Sequence, residues 1–201
     1  MTKIFAAGDI HGDTLLAEKL SLKAEDADLI VLCGDLTHFE ESTEGIVGPF
    51  KKLQKPILLL NGNHETSATG EFLAKFYKET NIHGYSLKHN QIGFFGCSGV
   101  NIGIHQLSED EIFQYLEKAH SYVKESKIKV MITHVHPSET LMDKLSDFVP
   151  GSSGILKAIK EFKPDLLICS HVHEAEGIEE IIHNTKVINV GSKGKLIDLN
   201  N

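Results

Sequence analysis

Five short segments of this sequence carry polar side chains that can bind metal ions, nearly all at the end of an apolar run. These residues are two aspartates, one asparagine and five histidines: Asp9, His11, Asp35, Asn63, His64, His134, His171 and His173. Carboxylate, amide and imidazole groups that converge in this way build a site for two divalent metal ions. Such sites catalyse hydrolysis, most often at phosphorus. The ordered set of five segments predicts this chemistry, whereas no single segment does.

The donor types narrow the choice of metal. Asp9 and His11 stand two residues apart at the end of a predicted strand, so both side chains can leave it on one side. Asp35 has two carboxylate oxygens and can bridge two metals about 3.5–4 Å apart. A donor set rich in imidazole favours manganese, iron, zinc, cobalt or nickel over magnesium or calcium. We take two divalent ions as the cofactors and manganese as the first candidate, although the residues alone do not choose among these metals.

Composition predicts one domain, residues 1–201, in the cytoplasm. The chain has 201 residues, of which 41% are hydrophobic, enough for one sizeable core. We expect no association with a membrane, because no apolar run is long enough to cross one and the first residues leave no room for a signal-peptide core. The three cysteines, Cys33, Cys97 and Cys169, are odd in number and widely spaced, which argues against a disulfide framework.

The net charge and the basic residues of the chain limit which molecules it can bind. The formal net charge is −8, so we expect no stable binding of duplex nucleic acid. All 20 basic residues are lysines, and the bidentate guanidinium clamp on phosphate is therefore missing. Metals, lysine, histidine, asparagine and backbone N–H groups must hold phosphate instead.

The first third of the chain alternates strands and helices. Apolar runs and helical spacing predict strands at 3–7, 28–33 and 56–60, and helices at 14–23, within 42–53 and at 66–78. Asp9, Asp35 and Asn63 each follow one of these strands. Ligands in parallel α/β sheets bind at the carboxyl edge, so the pattern places these three side chains where a site is expected.

The rest of the chain is predicted to form a second sheet. We expect strands at 91–96, 129–133 and 166–169, a long helix opened by a capping box of Ser108 and Glu111, and helices near 139–145 and 155–162. Two of the strands deliver His134 and His171. A long polar loop covers 135–154, and strands at 178–182, 186–190 and 195–199 are predicted to form an antiparallel meander.

The motifs resemble those of the calcineurin-like metallophosphoesterases. The matching motifs occur in the family's order: Asp9-x-His11, Gly34-Asp35, Gly62-Asn63-His64-Glu65, His134 and His171-x-His173. The resemblance implies an α/β fold, a four-layer α/β/β/α sandwich of two mixed sheets, with the site where the sheets meet.

The resemblance also implies roles for the residues. One metal would be held by Asp9, His11, Asp35 and His173. The other would be held by Asp35, Asn63, His134 and His171. A water bridging the metals would attack phosphorus as hydroxide, and His64 would be the catalytic histidine that assists the leaving group.

The sequence departs from the family pattern at two places, of which the second bears on the substrate. Ser170 stands where the family usually has glycine before the last histidine pair. The Asp-Arg pair that protein phosphatases of this superfamily carry shortly after Asp35 is absent. The pattern is therefore most similar to the compact prokaryotic phosphodiesterases.

Several alternatives stay open at this point. The first hypothesis is a phosphodiesterase acting on a small phosphoester such as a nucleotide or cyclic nucleotide. The alternatives are a phosphomonoesterase or pyrophosphohydrolase, or a metal-binding scaffold without catalysis, and a homo-oligomer is possible. Among individual residues, His136 competes with His134 as a ligand, His38 could touch substrate, and Glu65 could either orient His64 or act as a surface or capping residue.

Overall fold

A computed structural model describes residues 2–103, 105–146 and 148–199 of the chain. The residues outside the described part are Met1, Ile104, Asp147, Asn200 and Asn201. The predicted domain 1–201 includes all five of them, and the predicted loop 135–154 includes one.

Strands and helices alternate along most of the described chain. In chain order they are β1 (Thr2–Ala7), α1 (Thr14–Lys23), β2 (Leu29–Cys33), α2 (Gly48–Lys51), β3 (Ile57–Leu60), α3 (Ser67–Tyr77), β4 (Thr80–Asn81), β5 (Ser86–His89), β6 (Ile92–Gly96), α4 (Glu109–Ser121), β7 (Ile128–Ile132), α5 (Leu141–Leu145), α6 (Ser153–Phe162), β8 (Leu166–Cys169), a 3₁₀ turn (His173–Ala175), β9 (Glu179–Ile182), β10 (Thr185–Asn189) and β11 (Lys195–Leu199).

The strands form two mixed sheets. The first has the order β11-β1-β2-β3-β4, with β11 antiparallel to β1 and the other pairs parallel. The second has the order β5-β6-β7-β8-β10-β9, with β5 and β9 as antiparallel edge strands. Because β1, β2 and β3 are parallel neighbours, their carboxyl ends lie at one edge of the first sheet.

Three layers of apolar side chains separate four layers of backbone. Alternate residues of β1 illustrate this, since Ile4 lies in the core between the sheets and Phe5 in the core under α1, α2 and α3. A third core joins the second sheet to α4 and α6, with Met131 and Ile159 among its buried members. The predicted four-layer α/β/β/α sandwich is confirmed.

Local signals in the sequence explain several helix boundaries. The Asp13 side chain accepts a hydrogen bond from the Leu16 N–H at the start of α1, as an N-cap residue does. Ser108 and Glu111 form the predicted capping box at the start of α4. These contacts satisfy backbone donors that the first turn leaves free.

The predicted antiparallel meander at the end of the chain is wrong. Strands β9 and β10 do form an antiparallel pair, but β11 leaves the second sheet and pairs with β1 in the first. The reason is that the edge of β1 that faces away from β2 would otherwise be unpaired, and an antiparallel partner there satisfies its backbone groups. Strands β4 and β5, which are short and only partly buried, were not predicted.

Cross-links and membrane-crossing helices are both missing from the described part of the chain. Cys33, Cys97 and Cys169 are free and buried. Burial raises the pKa of the Cys97 thiol to about 12 and that of the Cys169 thiol in the same direction, so both stay protonated. No helix of residues 2–103, 105–146 and 148–199 has the length and apolar character that crossing a bilayer needs.

Candidate metal centre

The predicted ligands converge where the two sheets meet. Asp9, Asp35, His134 and His171 each stand two residues beyond the end of a strand, after β1, β2, β7 and β8. Gly62 comes shortly after β3, and a Cβ there would collide with the Asp35 carboxylate. The close approach of the two loops therefore requires glycine at this position.

The backbone at these loops is strained. The φ angles are 52° at Asp9, 48° at His11, 48° at Asp35 and 75° at His171, all in the left-handed region. Residues with a Cβ adopt this region rarely, although aspartate and histidine do so more often than most. Such strain concentrates at functional sites, where the surrounding structure holds it.

One group of side chains, here termed the inner cluster, consists of Asp35, His134 and His171, with Asn63 beside it. One ligand atom from each of the first three lies within 4.8 Å of the others. The His134 Nε2 atom is 3.4 Å from Asp35 Oδ1 and 3.0 Å from Asn63 Oδ1. His134 is fully buried and Asp35 is 2% exposed, so little water competes for these donors.

A backbone carbonyl orients His134. Its Nδ1 atom lies 2.8 Å from the Cys33 carbonyl oxygen, which can only accept, so Nδ1 carries the proton and donates. The lone pair of a neutral ring then sits on Nε2 and faces the oxygens of Asp35 and Asn63. Metal-ligating histidines are held by this kind of contact to their other ring nitrogen.

The second group, here termed the outer cluster, consists of Asp9, His11 and His173, whose ligand atoms also lie within 4.8 Å of one another. The Nε2 atoms of His11 and His173 are 3.4 Å apart. The Asp9 carboxylate accepts the His171 backbone N–H, at 3.1 Å to Oδ2. Asp9 is buried, whereas His173 is exposed and His11 is partly exposed.

Asp35 lies between the clusters. Its Oδ1 atom faces His134, and its Oδ2 atom is 3.9 Å from His11 Nε2. The same Oδ2 is 3.8 Å from His64 Nε2. One carboxylate therefore offers an oxygen to each group of donors, as a residue shared by two metal ions must.

The titration of these groups reflects the crowding of charge. Burial alone would lower the pKa of His134, but the charge of Asp35 outweighs it and raises that pKa to about 9. Burial would raise the pKa of Asp35, but His134 holds it well below its usual range. Burial lowers the pKa of His11 to about 4 and that of His171 to about 2.

The donors fit divalent metal ions. In the neutral form of His134, the Nε2 lone pair faces two oxygen atoms, and these repel one another unless a cation or proton lies among them. The Nε2 atom of His171 is buried and has no hydrogen-bond partner among the described residues. A cation at the inner cluster would satisfy both features. Carboxylate, amide and imidazole donors suit first-row transition metals.

His64 lies beside the clusters with two aromatic neighbours. Its ring centroid is 4.5 Å from that of His11, and its backbone N–H donates to Asp35 Oδ1 at 3.0 Å. Phe39 stacks on the His64 ring at 4.0 Å between centroids. His38 is also near, at 5.7 Å from His64, and a ligand atom from each of His11, His38 and His64 lies within 4.8 Å of the others. The sequence spacing predicts a contact with substrate for His38 alone. Nothing in the sequence indicates the stacking of Phe39.

Glu65 joins two site loops and does not orient His64. Its Oε1 accepts the backbone N–H and the hydroxyl of Thr37, at 2.6 and 2.9 Å, and its Oε2 accepts the Gly62 N–H at 2.8 Å. Glu65 is 3% exposed. It thus ties the loop after β2, which carries Asp35, to the loop after β3, which carries Asn63. The interpretation of Glu65 as a surface residue is wrong.

Ser170 joins the orienting contacts of His134. Its hydroxyl donates to the Cys33 carbonyl oxygen at 3.0 Å and lies 3.1 Å from His134 Nδ1. Ser170 is fully buried. The substitution of serine for the usual glycine therefore adds a polar contact directly behind His134 of the inner cluster.

His136 lies apart from both clusters. It is buried, and its Nε2 is 3.6 Å from Asp143 Oδ1. Between the two candidates from the sequence, His134 is the one that the structure brings to Asp35. His83 and His120 have structural contacts of their own, since His83 accepts the Ser98 N–H and His120 stacks on Phe162.

The two mixed sheets bring clusters of aspartate and histidine to their shared edge. This arrangement is typical of α/β metal-dependent hydrolases. A sequence profile described as calcineurin-like phosphoesterase matches residues 2–175. The chain belongs to this family, which uses divalent metals, and it is a metal-dependent phosphoesterase.

Relatives of known sequence or structure cover nearly the whole chain. An uncharacterised protein of Methanocaldococcus jannaschii, MJ1162, is 29% identical over 206 residues, covering 97% of this chain and 90% of that protein. The crystal structure of TT1561 of Thermus thermophilus has a TM-score of 0.74 at 16% identity, covering 98% of each chain. A second solved structure has a TM-score of 0.72 at 14% identity, covering 99% of each chain. These two structures share the fold.

Proposed function

We propose that the chain is a phosphodiesterase that uses two metal ions and acts on a small phosphoester such as a nucleotide or cyclic nucleotide. The observation that carries this proposal is the position of Asp35 between the inner and outer clusters. One ion would be held by Asp9, His11, Asp35 and His173, and the other by Asp35, Asn63, His134 and His171. Manganese is the first metal to test, with iron, zinc, cobalt and nickel as alternatives.

The ions and the protein would divide the chemistry. Two bound divalent ions supply positive charge for the phosphoryl oxygens and make water a stronger nucleophile near neutral pH. The protein's part is to hold donors in place, through the Cys33 carbonyl behind His134 and through Glu65 between the loops after β2 and β3. Because these donors are already held in place, they need not reorganise when negative charge develops on the phosphoryl group.

His64 is the proposed catalytic residue for the leaving group. Its Nε2 is directed toward Asp35 Oδ2, at 3.8 Å, so the ring edge faces the metal donors. Burial lowers the pKa of His64, which leaves its ring neutral at pH 7. A neutral imidazole with its proton on Nε2 can donate a hydrogen bond to the leaving oxygen as the ester bond breaks.

Charge near His64 favours a diester over a monoester. A phosphomonoester carries one more negative charge than a diester, and a guanidinium or ammonium group commonly neutralises it. The chain has no arginine, and no lysine is among the described residues that line the cavity beside His64. The extra charge of a monoester would therefore have no guanidinium or ammonium partner among the described residues of this cavity.

The test is hydrolysis of bis-p-nitrophenyl phosphate and p-nitrophenyl phosphate by wild type and His64→Ala, both loaded with Mn²⁺. We expect the wild type to prefer the diester, and His64→Ala to lose turnover while it keeps its metal. His89→Ala, a change of a histidine on β5, is the matched control. Faster monoester turnover would favour the phosphomonoesterase. Inert protein with both ions bound would favour the scaffold.

A further inference from the structure

A cavity of about 290 Å³ lies beside His64, and Phe39 forms part of its wall. One contact of the Phe39 ring is with His64, whose plane is inclined by 25° to it at 4.0 Å between centroids. Phe39 nevertheless remains 63% exposed. An aromatic ring next to the proposed proton donor therefore still offers surface to a ligand.

The loop that presents Phe39 is held in a strained conformation. The φ angles of Phe39 and Glu40 are 48° and 63°, a region that bulky residues rarely adopt. The Thr37 hydroxyl accepts the Glu40 N–H at 3.2 Å, and Thr37 is itself bound to buried Glu65. The cavity wall is thus fixed by the same residue that ties the site loops together, and a preformed wall lowers the ordering cost of binding.

Charge on the cavity wall selects against anions. The Glu40 carboxylate accepts the Thr66 N–H and the Thr69 hydroxyl, both at 2.6 Å. The bond from Thr69, followed by that from Thr66, lowers the pKa of Glu40, so the group is ionised at neutral pH. Among the described lining residues there is no lysine, so a second phosphate in this cavity would face the Glu40 carboxylate with only the imidazoles of His64 and His105 to offset it.

We propose that Phe39 and this cavity form a subsite for a planar, uncharged ring on the leaving group, of the kind that a nucleoside carries. The volume is near the small end of ligand pockets, about 300–1,000 Å³, and suits one ring system. Nucleobases stack on exposed aromatic side chains with little dependence on sequence. The inference rests on the proposed function, because it assigns the group that leaves phosphorus beside His64.

The chain contains no tryptophan, so Phe39→Trp introduces a unique fluorescent reporter at the proposed subsite. The experiment is a fluorescence titration of this variant with adenosine, without added metal. We expect saturable quenching by adenosine and none by ribose, which lacks the planar ring.

The matched control is Phe76→Trp. Phe76 lies on the last turn of α3 and is 66% exposed, close to the exposure of Phe39. Equal quenching in both variants would reveal collisional contact and would overturn the subsite, as would no quenching in either. Because adenosine has no phosphate, this result is independent of hydrolysis: turnover without quenching would leave the phosphodiesterase intact and remove the subsite.

Two further variants separate binding from positioning. Phe39→Leu should raise the inhibition constant of adenosine in the diester assay by about tenfold, within the range for base stacking on an aromatic ring. If only kcat fell and the inhibition constant stayed the same, Phe39 would merely position His64.

Glu40→Gln should strengthen inhibition by benzoate, an anionic ring, and leave inhibition by adenosine unchanged. Unchanged inhibition by benzoate would overturn the charge selection.

Discussion

The inner and outer clusters offer similar donors in different surroundings. His134 of the inner cluster is fully buried, and its second nitrogen donates to the Cys33 carbonyl. In the outer cluster His173 is exposed, and the Nδ1 atom of His11 has no hydrogen-bond partner among the described residues. His134 is thus held in place before a metal arrives, whereas the histidines of the outer cluster are less constrained by their surroundings. If the proposed site binds two ions, we expect the ion at the inner cluster to bind more tightly and to be lost last.

Removal of the residue that both clusters share should have the largest effect. Asp35→Asn keeps the size of the side chain and removes its charge, so both ions should bind at least about 100-fold more weakly, beyond the range seen when only a residue that orients a ligand is lost. Metal content after dialysis, measured by mass spectrometry, checks this result. Asp198→Asn, a change of an exposed residue on β11, is the control. Loss of a single ion in Asp35→Asn would show that Asp35 serves only one cluster.

A pair of histidine variants compares the clusters directly. His134→Ala should abolish binding of the inner ion, and His173→Ala should weaken the outer ion alone. The inner loss should be the greater, because it also leaves Asp35 buried without its partner. Calorimetric titration with Mn²⁺ resolves the two affinities, and circular dichroism shows whether each variant is folded. If His173→Ala lost both ions, the clusters would bind as a unit and the distinction between them would fail.

The clusters should also differ in their response to pH. The metal-free protein holds a proton on His134, whose pKa is raised to about 9, and a metal must displace it. Inner affinity should therefore rise about tenfold per pH unit from neutral pH toward the raised pKa, and level off above it. His11, with a pKa lowered to about 4, has no proton to lose over this range.

Calorimetry in buffers of different ionisation enthalpy measures the protons released. We expect about one proton per inner ion at neutral pH, the amount that a single displaced imidazole proton supplies. In the metal-free protein, the pairing of His134 with Asp35 stabilises the fold fully below the ordinary histidine pKa of about 6.5, and this contribution is lost as pH rises through about 9. Metal binding without proton release would contradict the assignment of His134.

The smallest effect is expected at Ser170. Ser170→Ala removes the hydroxyl that contacts the Cys33 carbonyl and His134 Nδ1, and should weaken the inner ion by about tenfold, the lower end for residues that orient a ligand. The outer ion should be unaffected. Ser121→Ala, which removes a hydroxyl bound to a helix carbonyl, is the matched control. An equal loss at both ions would mean that the variant disturbs the fold.

The sequence predicted the elements that carry the ligands because their signals are local. Residues 29–33 form a continuous apolar run, and Gly34 and Asp35 follow it, so both the buried strand β2 and the candidate ligand after it could be predicted. The capping box at Ser108 is equally local. The proposed ligand sets came from the order of the motifs in the resembled family, because spacing alone does not determine them.

What the sequence did not predict depends on contacts between distant segments. The pairing of β11 with β1 joins residues from opposite ends of the described chain. The binding of Thr37 and Gly62 by Glu65 requires the loops after β2 and β3 to be adjacent first. The stacking of Phe39 on His64 depends on a left-handed backbone at Phe39, and phenylalanine gives no sequence signal for that conformation.

The left-handed backbone at Asp9, His11, Asp35 and His171 has an evolutionary consequence. Each residue in this region costs on the order of 1–3 kcal/mol, and glycine would relieve most of that strain. A lineage that used the fold only for contact with other proteins would gain stability by such exchanges at His11 and His171, and selection for stability would favour them. The carboxylates of Asp9 and Asp35 accept backbone N–H groups, and Asp35 also pairs with buried His134, so glycine would remove stabilising contacts at these two positions. Directed selection of this chain for heat resistance alone should therefore recover glycine first at His11 and His171, and the surviving proteins should be stable but inactive.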